Sequence, residues 1–310
     1  MKNIRDNFKK KNIIINLLLF FSILLFSFDI YAGSVREVAA NIERLKLTKP
    51  PFSFAMIGDS RDGEKVYLEL MKKILGRKPN FIIHLGDMVS RPQEKEWRQF
   101  FKISQSINLP FFPVAGNHDV GVTVRGSEMY KKKFIFPEGE SYYSFRAGGG
   151  LFILLDSEKS LGRIIDDQWR WLDQVLSTSN DALRMIFLHR PLFLPMDSFK
   201  MGRAMDKYPL DRDQLHQLFV KAKVNAVFAG DDHRYDRREK DGILYLISGG
   251  GGAPLHPFGE RGGYFHYVWV SVQADRIEGE VVDLEGEVRD QFVIKQGKRE
   301  NYQWPMTNNN

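Results

Sequence analysis

From Phe52 onward the chain repeats one pattern: a short apolar run, a polar cluster containing glycine, then an amphipathic stretch. Short apolar runs between turn residues read as buried strands, and apolar spacing of three and four reads as helix. Phe52–Ile57 is the first strand and leads into Gly58-Asp59-Ser60-Arg61-Asp62-Gly63. A helix follows over Glu64–Gly76, with Val66, Leu70, Met71, Ile74 and Leu75 near helical spacing and Gly76 as its stop. Phe81–Leu85 is a strand running into Gly86-Asp87, and Glu94–Ile107 a helix opened by Pro92. The next apolar run, Phe111–Val114, ends in Gly116-Asn117-His118-Asp119.

The same alternation continues. Leu151–Leu155 is a strand ending at Asp156, and Asp166–Leu176 a helix whose Trp169 and Trp171 belong to the core. Leu183–Leu188 is a strand ending in His189-Arg190-Pro191. Asp211–Ala222 is helical, and Val224–Ala229 is a strand ending in Gly230-Asp231-Asp232-His233. Then the helices stop. Ile243–Ile247, Tyr264–Val272 and Ile277–Val282 read as consecutive strands, for which antiparallel pairing is expected. Residues 121–150 are less regular: Lys131–Lys133 is a solvated face and Tyr142–Phe145 a half-buried strand. No internal repeat or Pro- or Ser-rich linker interrupts the pattern. One domain from about Pro50 to about Val293 follows, with residues 33–49 as a lead-in and Gln296–Asn310 as a polar tail.

The start of the chain breaks this pattern. Lys2, Arg5, Lys9, Lys10 and Lys11 precede an almost unbroken apolar run, Ile13–Phe28, and a small residue follows at Ala32. That layout predicts a signal peptide over residues 1–32, cleaved after Ala32, and an exported, periplasmic or extracellular protein. The apolar run is shorter than the ~20 residues of a spanning helix, so a cleaved signal is favoured over a retained anchor. The segment's five basic residues stand against Asp6 and Asp29, so it carries half of the formal net charge of +6. The remainder is a weak bias towards anionic ligands and gives no strong nucleic-acid signal. The chain has no cysteine, which excludes disulfides and thiolate metal sites.

The candidate chemistry lies at the strand ends: Asp59, Asp87, Asn117 with His118, His189, and Asp231 with His233. In open α/β sheets the carboxyl ends of strands gather at one crevice, so loops distant in sequence can converge. Each residue alone has a plainer reading, as a turn former, a helix cap or a packed histidine. Their recurrence at successive strand ends favours a site. Mixed carboxylate, amide and imidazole ligands suit Mn, Fe or Zn. Imidazole is the side chain suited to moving a proton near neutral pH, which makes His118 a candidate acid or base, and Asp119 can hold a histidine ring nitrogen. His84, His216, His256 and His266 read as structural, and Gly249–Gly252 as a tight turn beside the site that could otherwise offer amides to a phosphate.

The order and context of these residues resemble the calcineurin-like metallophosphoesterases, whose pattern is Asp-x-His, Gly-Asp, Gly-Asn-His-Asp/Glu, a lone His and Gly-His-x-His. The resemblance covers nearly the whole chain after the signal, through Tyr264–Val272. It implies an α/β fold of two packed mixed β-sheets flanked by helices, a four-layer sandwich with a two-metal centre at the sheet edge. Carried over by position, Asp59 and His233 would hold the first metal, Asp87 would bridge, and Asn117 and His189 would hold the second. His118 would protonate the leaving oxygen, steadied by Asp119, after attack by a metal-activated water.

Two positions depart from that pattern. Arg61 stands where the family has the His of Asp-x-His, and a guanidinium has no lone pair to offer a metal. The first metal is thereby expected to be the weaker, unless Asp62 fills the gap, with Arg61 as a possible phosphate clamp. Asp231 stands where the family has the first His of Gly-His-x-His, and a carboxylate there can still ligate. The implied function is metal-dependent hydrolysis of a small-molecule or macromolecular phosphoester, with one or two divalent ions. The alternative is an exported binding protein on the same scaffold, its site holding one metal or none.

Overall fold

The computed structural model describes residues 35–257, 261–274 and 276–295. The signal peptide expected over residues 1–32 and the tail from Gln296 lie outside the described residues. Among the described residues, twelve strands form two six-stranded sheets. The first has the order β12-β11-β10-β1-β2-β3, with β1 (Phe52–Ile57), β2 (Phe81–His84), β3 (Phe111–Pro113), β10 (His266–Val272), β11 (Arg276–Asp283) and β12 (Val288–Lys295). The second has the order β4-β5-β6-β7-β9-β8, with β4 (Tyr143–Ala147), β5 (Gly150–Leu154), β6 (Leu183–Phe187), β7 (Ala226–Ala229), β8 (Tyr235–Lys240) and β9 (Ile243–Ser248).

Each sheet is mixed. β1, β2 and β3 run parallel, as do β5, β6, β7 and β9, while β10 to β12 and the pairs of β4 and β8 are antiparallel. Parallel strands put all their carboxyl ends at one edge, and the helical crossovers α2 (Glu64–Gly76), α3 (Glu94–Ile103), α6 (Asp166–Thr178) and α7 (Pro209–Lys221) cover the outer faces. The interface between the sheets is aromatic. Phe54 of the first sheet meets Phe152 of the second edge-on at 5.5 Å, and Phe81 meets Phe145 and Phe152 at 5.6 and 5.4 Å. All four rings are buried. Truncating one of them to alanine is worth about 3–5 kcal/mol, so the relative placement of the sheets is strongly held.

The structure corrects the sequence reading in several places, and it adds β12, which that reading left unassigned. β9 does not pair with β10: it lies parallel to β7 in the second sheet, and the chain then crosses to the first sheet, where β10 pairs with β1. Its antiparallel partner is β8, an edge strand of composition Tyr-Asp-Arg-Arg-Glu-Lys that carries no apolar alternation. Charged edge strands are a common protection against sheet-to-sheet association, and here they hide the strand from periodicity. The hairpin signal was present: Asp241 and Gly242 turn at φ +50° and +70°, as a two-residue primed turn requires. The irregular stretch contains α5 (Val124–Lys133), capped by Thr123, whose hydroxyl accepts from Gly126 N. The lead-in contains α1 (Val38–Leu45), with Asn41 buried and its Nδ2 donating to the Phe111 carbonyl at 3.4 Å, over edge strand β3.

Two buried histidines make stability depend on pH. His84 takes an N–H from Gly86 on Nδ1 and shares a hydrogen with Ser60 through Nε2, and His266 is held between Ser248 and the Tyr264 carbonyl. Burial pushes His84 down to about 3 and His266 down to about 4. Both pKa values are depressed below the unfolded value of 6.5, so protonation favours the unfolded chain. Their contribution is fully present above pH 6.5 and declines as pH falls from 6.5 towards 4, by up to about 1.4 kcal/mol per pH unit for each group. Urea unfolding of metal-free protein at pH 7.5, 6.0 and 5.0 is expected to show this slope, with His266→Asn removing one share. Equal slopes in both proteins would refute the assignment to His266.

Candidate metal centre

Five loops meet at the carboxyl edge of the two sheets. Asp59 follows β1, Asp87 follows β2, Asn117 and His118 follow β3, His189 follows β6, and Asp231 and His233 follow β7. Asn117 and His118 open a single helical turn, α4 (Asn117–Val120). Asp59, Asp87 and Asp231 adopt φ of +59°, +56° and +65°. The left-handed region disfavours side chains with a Cβ, and Asp is among the few that tolerate it. Strain repeated at three matching strand ends marks a site whose carboxylates are aimed by the backbone. Close packing does the rest. A Cβ on Gly116 would lie 2.2 Å from the Asp87 amide nitrogen, and one on Gly86 would lie 2.6 Å from His189 Nδ1. No other residue fits there without moving a ligand loop.

Among the described residues, the ligand atoms of Asp59, Asp87 and His233 lie within 4.8 Å of one another. Asp59 Oδ1 and His233 Nε2 are 3.5 Å apart, and both are buried without a hydrogen-bond partner. His233 Nδ1 donates to the Pro254 carbonyl at 2.7 Å, so its Nε2 carries a free lone pair aimed at Asp59. Burial holds this imidazole at about 4, which keeps it neutral and able to ligate. Burial also raises the Asp59 carboxyl well above its ordinary value, against the pull of His189 and with added repulsion from Asp87 and Asp231. Orphaned lone pairs and crowded buried carboxylates are costly unless a cation joins them, so these residues fit a divalent ion.

The neighbouring cluster is built differently. His189 donates Nδ1–H to the Leu85 carbonyl at 2.8 Å, and its Nε2 lies 3.1 Å from Asn117 Oδ1, 3.3 Å from Asp87 Oδ1 and 3.8 Å from Asp231 Oδ1. Burial alone would lower its pKa, but Asp87, Asp59 and Asp231 outweigh that and hold it at about 9. Asp231 Oδ1 is already occupied by Lys200, whose Nζ donates at 2.6 Å. Asp231 Oδ2, like Asp59 Oδ1 and His233 Nε2, is buried without a hydrogen-bond partner, so orphaned atoms stand in both clusters.

Arg61 stands beside Asp87, with Nε 3.3 Å from Oδ2, and its Nη1 is 2.6 Å from Asp62 Oδ2. Asp62 does not replace the missing ligand, because its other oxygen accepts from the Ser90 hydroxyl. His118 donates its backbone N–H to Asp87 Oδ1 at 2.9 Å. Its ring is held by the Ser90 carbonyl, 2.8 Å from Nδ1, leaving Nε2 on the site side at 4.0 Å from Asp87 Oδ2. Asp119 therefore does not steady His118. Its carboxylate accepts from the amides of Asp87, Gly116, Met88 and Val89 at 2.8–3.2 Å and ties the β2 loop to the β3 loop. Four amide donors outcompete one ring nitrogen for a buried acceptor. The glycine run is a turn: Gly251 N and Ala253 N donate to the carbonyls of Gly58 and Asp59, so they are committed to the Asp59 loop.

Sequence reasoning missed Lys200. It sits in a loop with no periodicity and no motif, and only the fold carries it to Asp231.

Two mixed sheets, flanked by helices and carrying Asp, Asn and His at one strand edge, define a metallophosphoesterase architecture. The family model for calcineurin-like phosphoesterases matches residues 52–235, and the chain belongs to that family. It is similar to serine/threonine-protein phosphatase CPPED1 of Bos taurus, 31% identical over 180 residues, covering 52% of this chain and 55% of the relative. The chain thus spans about half the length of the curated relatives it matches. In fold it resembles purple acid phosphatase PPD1 of yellow lupin, with TM-score 0.67, 19% identity and coverage of 81% of this chain and 55% of that one. A dimetal phosphatase of Danio rerio superposes with TM-score 0.60 at 14% identity, over 80% of this chain and all of that one. Family membership brings the general expectation of divalent metals, for which Asp59, Asp87 and His233 are the candidate ligands.

Proposed function

We propose that this chain hydrolyses a phosphoester in a divalent-metal-dependent reaction. The observation that carries the reading is the pair of orphaned lone pairs on Asp59 and His233, facing each other beside Asp87 in a family of phosphoesterases. Asp59, Asp87 and His233 would hold the ion, with Mn, Fe or Zn suited to that donor set. Bound there, the ion supplies Lewis acidity towards a phosphoryl oxygen and lowers the pKa of a coordinated water. The protein supplies the rest. Arg61, fixed by Asp62 and Asp87, presents a guanidinium to a phosphoryl oxygen. His118, with Nδ1–H spent on Ser90, delivers a proton from Nε2 to the leaving oxygen. Chromogenic phosphomonoester and phosphodiester substrates, assayed after chelation and reconstitution with each metal, test the reading. Absence of metal-dependent turnover of either would reject it.

A binding protein on the same scaffold is the second reading, favoured by ion pairs that already engage Asp87 and Asp231. It predicts one bound metal or none, and no hydrolysis with any of the metals. We also propose that residues 1–32 direct export, supported by their basic, apolar and small-residue layout. N-terminal sequencing of protein from the producing cell is expected to begin near Gly33, outside the cytoplasm. Full-length cytoplasmic protein would overturn this.

A further inference from the structure

We propose that Lys200 takes the place of the second metal ion, so that the centre holds one divalent ion braced by two side-chain cations. The inference rests on the reading of Asp59, Asp87 and His233 as a metal site. Its own support is geometric. Lys200 Nζ stands 2.6 Å from Asp231 Oδ1, the same oxygen that faces His189 Nε2 at 3.8 Å. The ammonium therefore holds the Asp231 oxygen that faces His189, and Asp231 Oδ2 is left as the buried oxygen without a hydrogen-bond partner. Lys200 is mostly buried and Asp231 almost fully so. An ion pair in such a site holds strongly once formed, because breaking it strands a buried charge.

The loop is constructed to keep the ammonium in place. Ser198 Oγ accepts the Lys200 amide at 3.0 Å, and the Lys200 carbonyl accepts from the amides of Arg203 and Ala204 at 2.8 and 3.2 Å. The Arg203 carbonyl in turn accepts from Arg190, which forks onto the buried Glu158 carboxylate with contacts of 2.7–3.0 Å. Arg190 directly follows His189, so the histidine loop and the Lys200 loop are tied through one guanidinium.

Charge supports the same conclusion. The carboxylates of Asp59, Asp87 and Asp231 face Arg61 and Lys200. Over these five side chains alone, leaving aside Asp62 on Arg61 and the His189 ring, one divalent ion leaves a single positive charge. A second would leave three, unless Lys200 withdrew from a carboxylate buried at the strand end. The Asp at position 231 is then explained: a carboxylate pairs with an ammonium where an imidazole would not.

Elemental analysis and calorimetric titration of the apo protein with Mn²⁺ and Zn²⁺ test this. The wild type is expected to bind one ion per chain, and Lys200→Met to gain a second site, or to tighten second-ion binding at least about tenfold. Lys200→Arg, which keeps the charge, is expected to stay at one. Anomalous diffraction from wild-type crystals soaked in Mn²⁺ gives an independent measure should Lys200→Met fail to fold: one peak, between Asp59, Asp87 and His233. Two ions of comparable affinity in the wild type, or a Lys200→Met protein still limited to one, would overturn the proposal and leave the metal-dependent reading standing. A wild type that binds no metal would overturn both.

Discussion

Asp87→Asn is expected to empty the metal centre and to lower metal-dependent turnover by at least ~10³-fold. Asp87 lies at the middle of the site: its Oδ1 faces His189 and the His118 amide, and its Oδ2 faces Arg61 and the His118 ring. Burial pushes its carboxyl up, but His189, His118 and Arg61 outweigh that and keep it below its ordinary value. It is therefore an ionised buried carboxylate, available as a ligand at neutral pH. An amide keeps the hydrogen bond from His118 N–H and loses the charge. Metal stabilisation of transition-state charge is worth several kcal/mol, which sets the size of the loss. Thermal melts separate ligand loss from misfolding. In chelator the variant is expected to melt below wild type but still in one cooperative transition, because Arg61 and His189 lose a buried partner, whereas the metal-induced gain, about 2.7 kcal/mol at a hundredfold excess over Kd, should vanish. Stoichiometric metal and turnover within about tenfold of wild type would remove Asp87 from the centre.

His118→Ala is expected to reduce turnover by about 10² to 10⁴, or roughly 3–5 kcal/mol, while metal content stays at the wild-type level. Its ring nitrogens lie outside the Asp59–Asp87–His233 cluster, and its Nδ1 is bound to a carbonyl, so in the proposed reaction the side chain would serve as proton donor and not as ligand. The leaving group provides the discriminating measurement. An alkyl phosphate needs protonation as it departs and should suffer the full loss, whereas a nitrophenyl ester departs as a stable anion and should suffer much less. Equal losses on both substrates would point to a positioning role for His118.

The strands that build the site were legible because burial is a local signal. A run such as Phe81–His84 must be buried on both faces, and the polar cluster after it must therefore come to an edge. Family resemblance then put Asp59, Asp87, Asn117, His118, His189, Asp231 and His233 on that edge, where the structure has them. Edge strand β8 was not legible, because a strand paired on one side and charged on both faces leaves no apolar period. Helix α5 was obscured in the same way: Tyr130 and Lys133 are buried within a mostly polar segment.

The sequence by itself determined the alternation of strands and helices, the polar residues at each strand end and the absence of a histidine at position 61. Each of these is a property of residue type and spacing, which chain chemistry sets without reference to distant partners. Only the tertiary structure decided how those groups are spent. Asp119 turns to four amides because the β2 loop passes within reach, and Asp62 turns to Arg61 and Ser90. Lys200 reaches Asp231 across 31 residues of sequence. A charged side chain in low dielectric is committed to whichever opposite charge the fold brings within a few ångströms, and that distance is written in no local pattern.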